Sequence, residues 1–248
     1  MSTKKLTDKV ALVTGGSRGL GAAIAKRLAD DGATVALTYT SSQQKADEVV
    51  LAIEAAGGQA LALRADSANV EAVKNAVAET VKAFGRLDIL VNNAGVAAFA
   101  PIDQFSLDDF DRLIAVNVKG VFVATQEAVR HMGEGGRIIM IGSINSDIMP
   151  FVGGSVYALT KGAIASFTRG LARDLGPGGI TVNNIQPGPV DTDMNPADGI
   201  FSNRMKSITA LQRYGRSEEI AEMVSYLASP EAGFVTGANL KIDGGFAA

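Results

Sequence analysis

Short apolar runs alternate with longer segments of helical periodicity along nearly the whole chain. The runs at 10–14, 34–39 and 137–142 are rich in apolar residues, as expected for strands buried on both faces. Between such runs, apolar residues recur at helical spacing, most clearly at 70–84. Right-handed crossovers then predict an α/β fold, a doubly wound parallel sheet of about seven strands with helices on both faces. We predict a single domain over residues 1–248, with a small substrate lid at about 193–210.

Composition excludes several classes of site. The 248 residues contain no cysteine and a single histidine, His131, which excludes disulfides and a cysteine or histidine metal cluster. The net charge of −3, with interspersed signs, shows no nucleic-acid footprint. The N-terminal stretch M-S-T-K-K-L-T-D-K lacks the apolar core of a signal peptide, and no apolar run is long enough to span a membrane. We expect a soluble, cytoplasmic protein without metal, nucleic-acid or membrane partners.

A glycine-rich turn follows the first predicted strand. It reads Gly15-Gly16-Ser17-Arg18-Gly19-Leu20-Gly21, and apolar residues then recur at helical spacing up to Asp31-Gly32. Glycines let a backbone approach a phosphate closely, and the start of a helix offers free N–H groups. The spacing matches neither G-x-G-x-x-G nor a Walker loop. The turn therefore predicts either a phosphate site or a tight strand-to-helix connection.

The end of the second predicted strand bears on cofactor choice. In nicotinamide-binding folds an acidic residue here holds the adenosine ribose hydroxyls, whereas basic or hydroxyl-rich surroundings accept a 2′-phosphate. This chain has Tyr39-Thr40-Ser41-Ser42 and no carboxylate, with Arg18 in the glycine turn. Charge therefore favours NADP(H), while NAD(H) stays possible because a Ser/Thr loop also tolerates it.

Polar residues follow the next two predicted strands. Asp66-Ser67 ends the third, and Asn92-Asn93-Ala94-Gly95 ends the fourth. These side chains either fix a loop against a ligand or form structural turns with backbone groups. Asn117, flanked by valines inside a long helix predicted over 106–132, is a poor choice on helix propensity. It is either a satisfied core amide or an amide that holds a water or a backbone carbonyl near a site.

The stretch from Ser143 to Lys161 contains the chemistry. Ser143 follows an apolar strand, at the edge of the sheet where open α/β folds place ligands. A helix that starts at Ser155 would stack Tyr157 and Lys161 on one face, one turn apart. An ammonium beside a phenol favours the phenolate, so we predict that Lys161 lowers the pKa of Tyr157. Alone, the spacing Y-x-x-x-K is also common in ordinary helices.

Taken together, these motifs resemble the single-domain short-chain dehydrogenase/reductases, with a Rossmann-type fold. The chain has the family's T-G-x-x-x-G-x-G at 14–21, N-N-A-G at 92–95, the mid-helix asparagine, the serine, Y-x-x-x-K and the Pro-Gly turn at 187–188. The resemblance covers residues 9–248. It implies an NAD(P)-dependent oxidoreductase acting on CH–OH and C=O groups.

The resemblance also implies roles for individual residues. Tyr157 would be the general acid or base, Lys161 would also hold the nicotinamide ribose, Ser143 would bind the substrate oxygen, and Asn117 would hold a water. The implied cofactor-binding residues are Gly15, Ser17, Arg18, Gly19, Leu20, Gly21, Tyr39, Thr40, Ser41, Ser42, Asp66, Ser67, Asn93, Ala94, Gly95, Tyr157, Lys161, Pro187, Gly188, Val190 and Thr192. The family is commonly tetrameric, so we expect a homotetramer paired through the two long central helices and the C-terminal strand.

The predicted substrate pocket is mostly apolar. Its residues are Ile144, Asn145, Met149, Phe151, Val152, Met194, Ile200 and Phe201. This favours a small or medium ketone, reduced with NADPH. The chain is also similar to 3-oxoacyl-[acyl-carrier-protein] reductases, but the turn at 133–136 contains Glu134 where a cation would help to hold an acidic carrier protein. A third alternative is a nucleotide-binding regulator that keeps the fold without turnover.

Overall fold

The computed structural model describes residues 4–248, in which strands and helices alternate. The strands are β1 (Val10–Val13), β2 (Thr34–Tyr39), β3 (Ala60–Arg64), β4 (Ile89–Asn92), β5 (Arg137–Ile141), β6 (Thr181–Pro187) and β7 (Asn239–Ile242). The helices are α1 (Gly19–Asp30), α2 (Gln43–Ala55), α3 (Val70–Phe84), α4 (Leu107–Ile114), α5 (Val121–Ala128), α6 (Ser155–Leu175), α7 (Ser202–Ile208) and α8 (Ser217–Ala228). Part of the N-terminal stretch for which we predict no signal peptide, Met1 to Thr3, lies outside the described residues.

The strands form one parallel sheet in the order β3-β2-β1-β4-β5-β6-β7. This confirms the predicted doubly wound α/β fold. The chain builds outward from β1 to β3 and then crosses to β4, so the strand order reverses between β1 and β4. Val13 pairs with Leu37 of β2 and with Val91 of β4, so these three strands end side by side. The loops that follow them therefore meet at the position where open α/β sheets bind ligands.

Each face of the sheet is covered by helices and has its own apolar core. Neighbouring residues of β1 point to opposite faces, since Val13 belongs to one core and Leu12 to the other. The core on the Val13 side receives buried residues from α1, α2 and α8, and the core on the Leu12 side receives them from α3, α5 and α6. This burial on both sides explains why the strands are continuous apolar runs instead of alternating ones.

The long helix predicted over 106–132 differs from the structure. Ser106 does cap it, since its Oγ accepts a hydrogen bond of 3.1 Å from the Asp109 N–H. After α4, however, the chain forms a π-helix (Ala115–Gly120) before α5, which ends at Ala128. A π-helical turn contains an extra residue, and such turns are frequent at functional sites. A Cβ at Gly120 would collide with the Ser67 carbonyl oxygen, so only glycine fits where this segment meets the loop after β3.

Within residues 4–248, no helix combines the length and the apolar character needed to cross a membrane.

Candidate active site

A cavity of about 500 Å³ lies at the carboxyl end of the sheet, beside the point where the strand order reverses. It is lined by the glycine turn, the loops after β2, β3 and β4, the start of α6, and residues 192–194. The sequence-predicted residues that line it are Gly15, Ser17, Arg18, Gly19, Leu20, Gly21, Tyr39, Thr40, Ser41, Ser42, Asp66, Ser67, Asn93, Ala94, Gly95, Tyr157, Lys161, Thr192 and Met194. The fold therefore gathers most of the predicted cofactor residues around one space.

The glycine turn leaves room for a bound group. Gly15 and Gly19 have φ angles of +64° and +51°, a left-handed conformation that favours glycine. A Cβ at Gly21 would collide with the Gly15 carbonyl oxygen, so a side chain there would open the turn. Arg18 precedes α1 without a side-chain cap, which leaves the first N–H groups of the helix free for an anion. These features fit the pyrophosphate of a dinucleotide.

Asn93 ties the loop after β4 to the glycine turn. Its Nδ2 donates hydrogen bonds to the carbonyl oxygens of Thr14 (2.9 Å) and Gly15 (3.0 Å). The Thr14 hydroxyl in turn accepts bonds of 3.0 Å from the N–H groups of Asn93 and Ala94. The loop is therefore a structural turn held by side-chain to backbone bonds, and Gly15, Asn93 and Ala94 also line the cavity. Asp66 likewise caps its own turn, since its Oδ1 accepts from the Ala68 N–H at 2.9 Å.

Asn117 lies in the π-helix and is almost fully buried. Its Nδ2 donates to the Val96 carbonyl oxygen at 2.9 Å, and its Oδ1 accepts from the Val96 N–H at 2.9 Å. A third bond of 3.2 Å joins its Nδ2 to the Thr160 hydroxyl in α6. The amide thus holds a backbone carbonyl beside the cavity, as one of the two sequence-based interpretations predicts.

The predicted proton-handling residues meet between β5 and α6. Helix α6 begins at Ser155, so Tyr157 and Lys161 share a face, and the Lys161 Nζ lies 5.8 Å from the centre of the Tyr157 ring. Lys161 is buried, and its Nζ donates to the Ile141 carbonyl oxygen at 3.0 Å. Ser143 follows β5, and its hydroxyl accepts from the Asn145 N–H at 3.1 Å. The phenol and the ammonium line the cavity, whereas Ser143 does not line it and lies beside the phenol.

Burial shifts the pKa values of Lys161 and Tyr157. It lowers the pKa of Lys161 to about 8, because the charged ammonium loses its hydration. It raises the pKa of Tyr157 for the same reason, and the hydrogen bond with Ser143 only partly opposes this. The prediction that Lys161 lowers the Tyr157 pKa is therefore wrong for the protein without ligands. The cost of burying a phenolate dominates, and the ammonium is bonded to the Ile141 carbonyl.

The predicted substrate pocket differs most from the structure. Of its eight residues, only Met194 lines the cavity. Ile144 is instead buried in a separate apolar cluster with Met205, Tyr214 and Phe246, so it belongs to the core. Asn145 caps the turn after β5, with its Nδ2 donating to the Ile148 carbonyl oxygen at 3.0 Å. Three other residues are exposed: Val152, Ile200 and Phe201.

Two further predicted pocket residues lie beside the loop that precedes α6. The Met149 sulfur packs so closely on Gly154 that a Cβ there would collide with it. The ring of Phe151 meets Phe99 edge to face, with centroids 5.5 Å apart. Phe99 also lies 5.7 Å from the Tyr157 ring, and 54% of its surface is exposed. An aromatic surface formed by Phe99, Phe151 and Tyr157 therefore replaces part of the predicted apolar pocket.

The turn after β6 contributes fewer residues to the cavity lining than predicted. Pro187 ends β6, the Gly188 N–H donates to the Ile242 carbonyl oxygen at 3.0 Å, and Val190 is buried. None of these three residues lines the cavity, whereas Thr192 does. A Cβ at Gly188 would lie 2.6 Å from the Asp243 Cα, so this glycine permits the approach of β6 to the loop after β7.

Several residues that line the cavity are absent from the sequence-based predictions. They are Ala68, Val96, Arg112, Val116, Ile141, Gly142 and Asp193. Phe99 is also absent from the sequence-based predictions. It lies only four residues after Gly95, and its ring packs against the Tyr157 ring. An aromatic residue soon after a predicted ligand loop is a sequence signal that points to this position. Among residues 4–248, no group of three or more His, Cys, Asp or Glu side chains is placed to hold a metal ion.

A parallel doubly wound sheet, a glycine turn at its switch point and a Tyr–Lys pair on the neighbouring helix define a dinucleotide-binding oxidoreductase. A family model described as "Enoyl-(Acyl carrier protein) reductase" matches residues 15–247. The chain belongs to the short-chain dehydrogenase/reductase family.

Two solved structures agree with this assignment, and a curated relative is similar to the chain over nearly its whole length. A short-chain dehydrogenase/reductase from Serratia marcescens BCRC 10948 is 57% identical, with a TM-score of 0.97 over 98% of this chain and 100% of that one. A short chain dehydrogenase from Burkholderia cenocepacia J2315, solved in complex with NADP, is 53% identical with a TM-score of 0.97 over the same shares. The "Cyclic-di-GMP-binding biofilm dispersal mediator protein" of Escherichia coli (strain K12) is 48% identical over 98% of each chain.

Proposed function

We propose that the protein is an NADPH-dependent carbonyl reductase and alcohol dehydrogenase that acts on small or medium, mostly apolar ketones. One observation carries the proposal: Tyr157 and Lys161 line the same cavity as the glycine turn. A proton donor and a dinucleotide site that share one space support hydride transfer to a carbonyl carbon next to proton transfer to its oxygen.

The charge at the end of β2 and a solved relative both support NADP(H) as the cofactor. Arg18 and the hydroxyl-bearing residues 40–42 line the cavity, and the chain offers no carboxylate at the end of β2. These surroundings accept a 2′-phosphate. The B. cenocepacia relative, 53% identical, was solved with NADP. When bound, the nicotinamide supplies the hydride. We expect Arg18→Ala to reduce the preference for NADPH over NADH, and an unchanged preference would contradict this role of Arg18.

Within this proposal the chain's own residues handle the proton. The phenol of Tyr157 is protonated at neutral pH, since its pKa is ordinarily 10 and burial raises it further. The protonated phenol is the form that donates to a carbonyl oxygen. Ser143 orients that oxygen through its hydroxyl, and Lys161 binds the nicotinamide ribose and offsets charge that develops on the phenol. Asn117, held on the backbone of Val96, orders the loop behind the site.

The substrate class follows from the walls of the site. Phe99 packs against the Tyr157 ring, Phe151 packs against Phe99, and Met194 lines the cavity that Tyr157 also lines. None of these three side chains bears a charge. Such a wall favours an apolar, preferably aromatic, ketone. Residues 193–210 form the proposed lid, in which Ile200 and Phe201 are exposed. Closure of this segment over a bound ketone would bury both side chains.

Two alternatives remain within the same fold. A 3-oxoacyl-[acyl-carrier-protein] reductase would reduce an acetoacetyl thioester in preference to aryl or cyclic ketones. A nucleotide-binding regulator would bind its ligand without turnover, and the printed name of the E. coli relative concerns cyclic-di-GMP binding. The presence of Ser143, Tyr157 and Lys161 around one corner of the site favours catalysis, because binding alone requires no proton donor.

We also propose that the protein is a homotetramer. An apolar groove between the α4–α5 segment and α6 is lined by Ile114, Val118, Phe122, Ala163 and Phe167, with one polar residue, Lys119. The Phe122 ring is 45% exposed and lies 6.2 Å from the Phe167 ring. Helix pairing there would cover this surface. Light scattering after size exclusion should give four copies, and a monomer would contradict the assembly. The cytoplasmic location expected from the sequence stays a prediction.

The proposal is tested by following NADPH absorbance with a panel of aryl, alkyl and cyclic ketones and an acetoacetyl thioester. We expect turnover with an apolar ketone, and a lower rate with the thioester. Turnover confined to the thioester would move the assignment to the carrier-protein reductase. Binding of NADPH without turnover on any member of the panel would favour the regulator.

A further inference from the structure

An exposed carboxylate joins two cations that come from separate elements. The Asp193 Oδ2 accepts from Arg18 Nη1 at 3.2 Å and from Lys45 Nζ at 3.3 Å. Arg18 belongs to the glycine turn, Lys45 to the first turn of α2, and Asp193 opens the proposed lid at 193–210. We call these three side chains the ionic clasp. It links two elements on the nucleotide side of the cleft to the segment proposed to cover the substrate.

The clasp lies at the cofactor cavity. Arg18 and Asp193 both line the cavity, together with the loop at 39–42, which is the proposed 2′-phosphate surroundings. The side chain of the preceding residue, Thr192, is close to the glycine turn as well, because a Cβ at Gly19 would lie 3.6 Å from the Thr192 Cγ2. Asp193 is therefore a negative charge that the fold places next to the cations that an anionic cofactor would use.

The ion pairs of the clasp are exchangeable. The side chains of Arg18, Lys45 and Asp193 are 51%, 53% and 56% exposed, and ion pairs between such side chains are weak. A phosphate monoester bears more negative charge than a carboxylate and offers three strong acceptor oxygens. It can engage an arginine through two parallel hydrogen bonds. A 2′-phosphate in the cavity would therefore replace Asp193 on both cations.

We propose that Lys45 is a second cation of the 2′-phosphate subsite and that Asp193 is an internal competitor for this subsite. NADPH exchanges the carboxylate for its own phosphate and detaches the start of the lid from the clasp. NADH presents a hydroxyl at this position and leaves the clasp closed. Asp193 and Lys45 thus both influence the discrimination between the two cofactors, in opposite directions. This inference rests on the NADPH preference proposed above.

The test is a fluorescence titration of NADPH and of NADH against the full chain and three variants. Lys45→Met should weaken NADPH binding by about five-fold and leave NADH binding unchanged, because only NADPH has the phosphate. Asp193→Asn should tighten NADPH binding by about three-fold relative to NADH. Asp198→Asn is the matched control, since Asp198 is an exposed carboxylate of the same segment that forms no ion pair with any residue from 4 to 248.

The outcomes separate the inference from the proposed function. A wild-type protein that binds both cofactors equally would contradict the NADPH preference. It would also contradict the proposed roles of Lys45 and Asp193 in cofactor discrimination. A wild-type protein that prefers NADPH, with an Asp193→Asn variant no different from Asp198→Asn, would overturn only the competitor role of Asp193. Equal weakening of both cofactors in Lys45→Met would overturn the role of Lys45. A far-UV circular dichroism spectrum of each variant verifies that it is folded.

Discussion

The side-chain amide of Asn117 closes a pair of hydrogen bonds with the backbone of Val96, each 2.9 Å long. Asn117 is buried and Val96 is partly buried, and the two residues come from different elements, the π-helix and the loop after β4. The pair holds that loop where Gly95 faces Lys161, since a Cβ at Gly95 would lie 3.6 Å from the Lys161 Nζ. The Asn117 side chain therefore helps to position this loop beside the proposed active site, together with the bonds between Asn93 and the glycine turn.

Replacement of Asn117 by alanine should destabilise the protein by about 2 kcal/mol, because the N–H and C=O groups of Val96 would lose their partners inside the protein. Urea unfolding followed by circular dichroism measures this loss. Asn75→Ala is the matched control, since Asn75 is exposed on α3 and alanine is the better helix former. Equal stability of the two variants would show that the Val96 bonds contribute nothing.

Replacement of Gly21 by alanine should abolish NADPH binding. The added Cβ would collide with the Gly15 carbonyl oxygen and open the turn proposed to hold the pyrophosphate. Gly170→Ala in α6 is the control, because a Cβ there meets no described atom within 4 Å, and it should stabilise the helix by about 0.5–1 kcal/mol. Fluorescence titration gives the affinity. A Gly21→Ala variant that binds NADPH as the wild type does would remove the glycine turn from the cofactor site.

The stability of the ligand-free protein should respond to Lys161 at high pH. Burial lowers the pKa of Lys161 from 10.5 to about 8, so between these values the unfolded chain binds the proton that the folded protein has released. The contribution of Lys161 to stability therefore rises with pH across this window, as linkage requires. The raised pKa of Tyr157 acts in the opposite direction above its ordinary value of 10. The useful window is therefore about pH 8 to 10.

Lys161→Met isolates this effect. From about pH 8 to 10, the wild-type free energy of unfolding should gain on the order of 2 kcal/mol relative to the variant. Urea titrations at several pH values, read by circular dichroism because the chain has no tryptophan, measure the difference. Lys82→Met, at an exposed position on α3, should show no such trend. A flat difference for Lys161→Met would mean that the buried lysine titrates as it does in water.

Phe99 should select for aromatic substrates. Its exposed ring lies against Tyr157 and Phe151, so Phe99→Ala should raise KM for an aryl ketone by about five-fold and affect an alkyl ketone less. Phe234→Ala, at a fully exposed position, should change neither KM. Steady-state kinetics with both ketones gives the comparison. An equal rise in KM for the two substrates would indicate that Phe99 supports the loop instead of contacting the substrate.

The sequence predicts elements well where local chemistry determines them. Helix α6 begins at Ser155 as expected, and it ends at Leu175 because the Gly-Pro-Gly-Gly run that follows cannot continue an α-helix. The π-helix at Ala115–Gly120 has no comparable sequence signal. Its cause is tertiary, because Gly120 approaches the Ser67 carbonyl and Asn117 reaches Val96.

The walls of the site are less predictable than its motifs. Apolar character does not distinguish a core residue from an exposed one, so Ile144 and Ile200 are equally good pocket residues in the sequence, yet 2% and 98% of their surfaces are exposed. The pKa of Tyr157 illustrates the same limit, because its neighbour in sequence favours the phenolate while the surrounding protein disfavours it. The clasp joins residues separated by 148 and 175 positions, which no local pattern indicates.

Carbonyl reduction with Tyr157 as the proton donor is tested most directly by a single-turnover measurement of NADPH oxidation with an apolar aryl ketone. The wild type and Tyr157→Phe are compared. Cofactor affinity is measured in parallel to show that the site is intact. We expect the variant to bind NADPH as the wild type does. We expect it to oxidise NADPH about 100-fold or more slowly, because the proton donor is missing. A Tyr157→Phe variant that transfers hydride at the wild-type rate would contradict the role of Tyr157 as the proton donor.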